Sequence, residues 1–279
     1  AAWRSSIRDA CRLADAVAID PNRFRSSAEA AFVAVVAGAM AVPVWVTSWT
    51  SGLEQELHPD VTVILKAIDP DRLESDAYYR DLVGVTIRRH VLEHHSGVSA
   101  WRKLVPGGAP PPKVLVMVST IRPALLPQVI AYLNSQTFRE FEVHIVIDRV
   151  PVPPNLIEEC TAASEFPVTI RLNEAVLTVG EIYNSMMRSS SADVAVIWDD
   201  DDHYAADHLL DLVQALVHSG ATVAGKWAEF FHLAELGITI QRSPEGRYSD
   251  TQSIGGSNLA MWRSQVLSAG GFRPVMSGY

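Results

Sequence analysis

Four consecutive carboxylates, Asp199, Asp200, Asp201 and Asp202, are the strongest chemical signal in the sequence. They follow Val194 to Trp198, a short apolar run rich in β-branched and aromatic residues that reads as a buried parallel strand. Beyond them a helix is expected from about Ala205 to Ser219, with Leu209, Leu212, Val213, Leu216 and Val217 on one face. One Asp is enough to cap a helix. Four adjacent anions repel one another and raise one another's pKa unless a cation compensates them. In open α/β sheets, ligands bind beyond the carboxyl ends of the strands, which is where this cluster falls. The donors are hard oxygens without Cys or His at zinc-ligand spacing, so Mg2+ or Mn2+ is the expected ion, with substrate phosphate oxygens completing its shell. Asp201 is the first choice of ligand, with Asp200 and Asp202 as alternates. The spacing leaves open which of the four point inward; if extended geometry continues past Trp198, Asp199 and Asp201 share a side. His203 is read as packing at the helix start.

The elements that must position this cluster alternate. Strands are expected at Val114–Val118, Glu142–Ile147 and Val168–Leu172, and helices at Ala124–Leu133, Leu156–Ala163 and Val179–Arg188. Such alternation predicts a mostly parallel sheet covered by helices on both faces. Pro106-Gly-Gly-Ala-Pro-Pro-Pro112 is a boundary by composition, turn formers running into a stiff polyproline segment. A dinucleotide site is excluded: Asp148 stands where a ribose-binding acid would, but the turn after the first strand, Ser119-Thr-Ile-Arg-Pro123, has no glycine to let backbone approach a pyrophosphate.

Bulk properties narrow the class. The 279 residues carry a net charge of −9. Residues 1–112 hold 12 Lys and Arg against 13 Asp and Glu, residues 113–279 hold 11 against 19, so the acidic excess lies in the second part. That argues against nucleic acid as a partner and is compatible with a cation-bridged anionic ligand. Two cysteines, Cys11 and Cys160, imply no disulfide framework and a reducing, cytoplasmic setting. The apolar run Ala30 to Val46 is at the short end for a membrane span, which needs about 20 residues, and contains Pro43. It parses better as a buried helix over Ala28–Ala39, a turn, and a strand over Val42–Thr47.

Several motifs in order make residues 113–279 resemble a family 2 glycosyltransferase of the GT-A fold. They are Val116-Met-Val-Ser-Thr-Ile-Arg-Pro123, Leu133-Asn-Ser-Gln-Thr137, Ile147-Asp148, the Asp199–Asp202 cluster as a DxD metal motif, Gly255-Gly-Ser-Asn258 and Ala269-Gly-Gly-Phe272. With Gly225-Lys226, Glu229-Phe230 and Arg247-Tyr-Ser249, the pattern is similar to actinobacterial cell-envelope enzymes. The resemblance implies an inverting, metal-dependent transfer of a sugar from a nucleotide-diphosphate donor to a glycan or lipid-linked acceptor. It implies that Thr120, Arg122 and Asp148 hold the nucleotide, that Asp199 and Asp200 also face the donor, and that Asp201 and Asp202 hold the metal. Asp201 and Asp199 are thus the expected catalytic pair. The family's general base is an acid beyond the Gly-Gly-Phe segment. No Asp or Glu lies between Gly270 and Tyr279, so the base is expected beyond Tyr279, with Glu229 as fallback. A lipid-linked acceptor implies association with the inner face of the plasma membrane.

Upstream, Arg23-Phe-Arg25, Ala37-Gly-Ala-Met-Ala-Val-Pro-Val-Trp45, His58-Pro-Asp60 and the helix Arg88 to His95 resemble the late part of a GT-B glycosyltransferase's Rossmann-like half. Residues 1–105 are accordingly expected to be a partial, accessory α/β half-domain, residues 106–112 a linker, and residues 113–279 a GT-A domain cut short at its C-terminus. His94 and His95 are read as a solvated helix face. Two other readings compete: a nucleotide-sugar-binding remnant without turnover, and a sugar-nucleotide pyrophosphorylase, which would want a glycine-rich basic loop where Ser119–Pro123 stands. A glycosidase is disfavoured, because its paired carboxylates face each other across a bond and do not run consecutively.

Overall fold

Residues 7, 9–11, 13–104, 110–226, 230–241, 254–256 and 258–275 are described by a computed structural model. The chain divides into two units, residues 1–109 and 110–279.

In the first unit, β1 (Val17–Ile19) and β2 (Val44–Val46) pair in parallel and are joined by α1 (Ser27–Ala39). Ser26 caps α1 by accepting from the Glu29 N–H, a sequence-local start signal. The apolar run at Ala30–Val46 is therefore a buried helix and a buried strand, as its Pro-containing turn suggested; Ala30, Ala34, Ala37 and Val44 are buried. Four further helices precede the unit's last: α2 (Ser51–Glu56), α3 (Pro59–Lys66), α4 (Pro70–Ser75) and α5 (Ala77–His95), followed by α6 (Gly97–Leu104). Gly84 lets α5 meet the turn after α1, since a Cβ there would lie 2.1 Å from the Ala41 carbonyl oxygen. Among the described residues, no helix is long and apolar enough to cross a membrane. One sequence expectation is corrected here. His94 does not stand on a solvated face: its ring stacks on that of His58 at 3.6 Å, and the neighbouring His95 Nε2 accepts from the His58 backbone N–H at 2.9 Å.

The second unit is built on a six-stranded sheet. Its elements are β3 (Val114–Thr120), α7 (Leu126–Asn134), β4 (Phe141–Asp148), α8 (Leu156–Ala163), β5 (Val168–Asn173), α9 (Val179–Arg188), β6 (Val194–Ile197), α10 (His208–Ser219), β7 (Val223–Gly225), β8 (Phe230–Leu233), β9 (Ile238–Gln241), β10 (Leu259–Trp262) and α11 (Arg263–Ser268). The sheet order is β5-β4-β3-β6-β10-β7. Strands β3 to β6 are mutually parallel, and β10 runs antiparallel to both β6 and β7. The sheet is thus mostly parallel, and β8 and β9 form a separate antiparallel hairpin.

Strand alternation sorts the core into two layers. Val114, Val116, Val118, Val194 and Val196 face α7, α8 and α10, packing with Leu126, Ile130, Leu133, Cys160, Leu209 and Leu216. Leu115, Met117, Ala195 and Ile197 face α9, packing with Ile182, Met186 and Met187. Both faces are covered, which is why these strands read as continuous apolar runs and not as alternating ones. The α9 start is encoded locally by a capping box between Thr178 and Glu181, and α10 ends at Gly220 in the left-handed region.

The order of connection matters for function. From β3 the chain steps through β4 to β5 on one side, then crosses back so that β6 lies on the other side of β3. Strands β3 and β6 are parallel neighbours, so the segments that follow their carboxyl ends meet where the strand order reverses, the place where open α/β sheets bind ligands.

Candidate functional site at the switch point of the sheet

The candidate site is formed by the residues that follow β3 and β6. Strand β6 stops at Ile197, and Trp198, fully buried, is the last residue of the hydrophobic layer. The extended geometry does not continue. Residues 200–202 bend, and the loop closes on itself because the Trp198 ring stacks on Tyr204 at 3.8 Å while the Tyr204 hydroxyl accepts from the Asp199 N–H at 2.9 Å. The bend means the alternation rule does not sort the four carboxylates beyond Trp198.

Asp200 turns inward. Its side chain is 4% exposed and accepts from the Thr120 hydroxyl at the end of β3 and from the Arg122 guanidinium. Asp201, about half exposed, accepts from Arg122 Nη1 at 2.7 Å. Arg122 is itself held by its backbone N–H, which donates to Thr120 Oγ1 at 2.8 Å. One guanidinium thus spans two of the four carboxylates, and those two bonds push its pKa up further. At Asp199 the charged form is disfavoured instead. Burial first, then the charges of Asp202, Asp201 and Asp200, push its carboxyl up to about 6, against a smaller opposing effect of Arg122. No three of the four carboxylates bring oxygens within 4.8 Å of one another.

Asp148 ends β4, one strand away on the same edge of the sheet. It is buried and receives Arg149 Nε and Nη2 at 3.2 and 3.1 Å and Asn173 Nδ2 at 2.7 Å. The Arg149 contacts, followed by Asn173, hold its carboxyl below the usual range despite burial. The Thr120, Arg122, Asp200 and Asp201 side chains are therefore in direct contact, and Asp148 stands beside them on its own local partners. Asp202 is half-buried in the same loop, and exposed His203 contacts the Tyr132 hydroxyl through Nδ1 at 2.8 Å. Glu229 and Arg247–Ser249 lie outside the described residues.

Two motifs quoted from the sequence position the loop and its surroundings through contacts that the sequence did not reveal, and Asn184 and Tyr183 carried no sequence signal of their own. Gln136, buried at the end of α7, donates to the Ala205 carbonyl at 3.0 Å and accepts from the Leu209 N–H at 3.0 Å. Thr137 Oγ1 donates to Asp207 at 2.7 Å. The Leu133–Thr137 motif thus clamps the far end of the acidic loop. Asn184 of α9 grips the backbone of Phe272, accepting from its N–H at 2.9 Å and donating to its carbonyl at 2.9 Å. Gly271 is required there twice over: its φ is +74°, and a Cβ would stand 2.3 Å from Asn184 Oδ1. Tyr183, next to Asn184, packs on Phe272 and is buried close enough to Asp199 and Asp200 for their charges to add to the burial that raises its pKa. The signal that links these pieces is three-dimensional: the Asn184–Phe272 contact spans 88 residues of sequence.

Two stability measurements follow. Arg122→Ala strips the buried Asp200 of its charged partner and is expected to cost about 2–3 kcal/mol in chemical denaturation. Asp200→Asn in the same background should recover part of that, and strictly additive losses would contradict the pairing. For Asp199 the sign is opposite. A carboxyl raised from its ordinary value to about 6 favours folding fully below pH 4 and loses that contribution as the pH rises to 6. Asp199→Asn should therefore stabilise the metal-free protein at pH 7 by on the order of 1 kcal/mol after solvent screening, and have little effect at pH 3.5. Equal effects at both pH values would contradict it.

Comparison with known proteins follows the same lines. Residues 114–253 match the family model for glycosyl transferase family 2. No curated protein matches the sequence. Among solved structures, a mannosyltransferase from Pyrobaculum calidifontis, PcManGT in complex with GDP-Man and Mn2+, is similar with a TM-score of 0.48 at 18% identity, over 60% of this chain and 49% of that one. TarS 1-349 from S. aureus has a TM-score of 0.45 at 16% identity, over 58% of this chain and 50% of that one. The chain thus spans about half the length of these structures. The family match covers half of the sequence, from the first residue of β3 through the acidic loop and the hairpin. The chain belongs to glycosyl transferase family 2.

Proposed function

We propose that the second unit transfers a sugar from a nucleoside-diphosphate donor to a hydroxyl of a glycan or lipid-linked acceptor, with inversion at the anomeric carbon and with Mn2+ or Mg2+ at the acidic loop. The observation that carries this reading is the meeting of Thr120, Arg122, Asp200 and Asp201 at the switch point between β3 and β6, in a chain of this family.

The donor set fits a divalent cation of the oxygen-preferring kind. Asp199 is held near 6 by burial and like charge, a repulsion that a cation relieves. Since three carboxylates do not converge, one or two would ligate and leave positions for phosphate oxygens, the usual habit of Mg2+. Asp201 and Asp202 are the candidates, because Asp200 is committed to Thr120 and Arg122. Bound there, the cation would neutralise the diphosphate and make it a better leaving group. Arg122 is placed to trade its Asp201 contact for a phosphate oxygen, keeping Asp200 as its anchor. Asp199 faces the donor sugar or ribose, and Asp148 the nucleotide base. The acceptor oxygen forms its bond to the anomeric carbon on the face opposite the departing phosphate oxygen, which keeps the bonding electron pair. The acceptor's proton goes to a general base; the expected acid follows the Gly270–Phe272 segment that Asn184 fixes.

The parallel pair β1 and β2 with α1 between them supports reading the first unit as a GT-B-like accessory segment. A lipid-linked acceptor would bring the chain to the inner face of the plasma membrane.

Calorimetric titration of UDP, dTDP and GDP, with and without Mn2+, tests the site. Binding is expected to require Mn2+ and to weaken about tenfold or more in Asp201→Ala. Metal-independent binding that the substitution leaves unchanged would make the acidic loop structural. Release of nucleoside diphosphate from a sugar donor then separates turnover from binding alone.

A further inference from the structure

The first unit holds a second cluster of ligating side chains, unlike the first in chemistry. His58 precedes α3, Asp60 lies in its first turn, and His90 and His94 sit one turn apart on α5. His94 Nε2 is 3.2 Å from Asp60 Oδ2, and His58 Nδ1 is 3.5 Å from the same oxygen. One ligand atom from each of His58, Asp60 and His94 lies within 4.8 Å of the others, and the same holds for His90, Glu93 and His94. A tetrahedral zinc site with bonds of about 2.0–2.2 Å has ligand-to-ligand edges of about 3.3–3.5 Å, close to the two separations from Asp60 Oδ2.

Ordinary hydrogen bonding accounts for only part of this. His94 can give one proton to Asp60. His58 Nδ1 already accepts from the Asp60 backbone N–H at 3.4 Å, so it brings a lone pair, not a proton, toward the Asp60 carboxylate. The His90 Nδ1 atom is buried without any partner, a costly state for a ring nitrogen. The contact between His95 Nε2 and the His58 N–H fixes the α3 entry against α5 and so holds the two halves of the cluster together.

We propose that His58, Asp60 and His94 bind a divalent transition-metal ion of the Zn2+ class, with a fourth position left open and the unpartnered His90 one turn away on α5. Imidazole-rich donors select such ions, whereas the all-carboxylate loop of the second unit suits Mn2+ or Mg2+. The His58 and His94 rings lie parallel within 5°. A metal must lie in the plane of each ring it binds, so loading turns them out of the stack, and this rotation is itself a readout.

The test uses the full chain in excess Mg2+, which occupies oxygen-only sites. Zn2+ titrated against a chelator of known affinity, and Co2+ followed by its visible absorption, report the site directly. The expected result is one tight equivalent of Zn2+, an intense tetrahedral-type Co2+ band, and a loss of affinity of about tenfold or more in His94→Gln, with Asp201→Asn unchanged. Should His94→Gln fail to fold by circular dichroism, His58→Gln, outside the helix, carries the same expectation. Absence of Zn2+ binding at micromolar concentration, or binding and a Co2+ spectrum that the histidine substitutions leave intact, would overturn the proposal.

Discussion

Mutual repulsion among four carboxylates at the end of a buried strand is the constraint around which the second unit is arranged. A strand as apolar as Val194–Trp198 can end in this way only if the charges are taken up at once. The fold takes them up unequally. Asp200 is driven inward onto the Thr120 hydroxyl and the Arg122 guanidinium, Asp201 shares that guanidinium from the solvent side, and Asp199 is left with its charge disfavoured. One arginine cannot neutralise four acids. The residual negative charge is what the proposed cation would offset.

Rigid packing keeps the loop in that state. The Trp198–Tyr204 stack closes it, Gln136 and Thr137 hold its exit against α7, and T-shaped contact with His208 extends the aromatic cluster under it. His208 is buried there, and burial pulls its pKa down to about 3, so it adds no positive charge beneath the acids. Among the described residues, Arg122 is the basic side chain that meets the acids directly. The topology supplies the meeting point, because β3 and β6 are neighbours at the reversal of strand order.

Much of this was legible in the sequence, and the reasons are local. Buried parallel strands are apolar without interruption, so β3, β4 and β6 were found within a residue or two; the capping box at Thr178 and Glu181 marks the start of α9. The acidic cluster stood out because charge at a strand tip has no packing explanation. The division of labour within it was not legible. Alternation assigns faces only while the chain stays extended, and the Tyr204–Asp199 hydrogen bond bends the backbone directly after Trp198. The clamps were hidden for a different reason: Gln136 to Ala205, and Asn184 to Phe272, join residues 69 and 88 positions apart. The same holds for His94, whose place on the helix pattern suggested solvent until His58, 36 positions earlier in the numbering, was seen stacked on it.

The most direct test of the account is the anomalous diffraction of a crystal soaked with Mn2+ and UDP. A manganese peak is expected within ligand distance of Asp201 or Asp202, with the nucleotide's phosphates beside Arg122 and Asp200 still bound to Thr120. A nucleotide seated elsewhere, or a site with bound nucleotide and no manganese at the acidic loop, would contradict it.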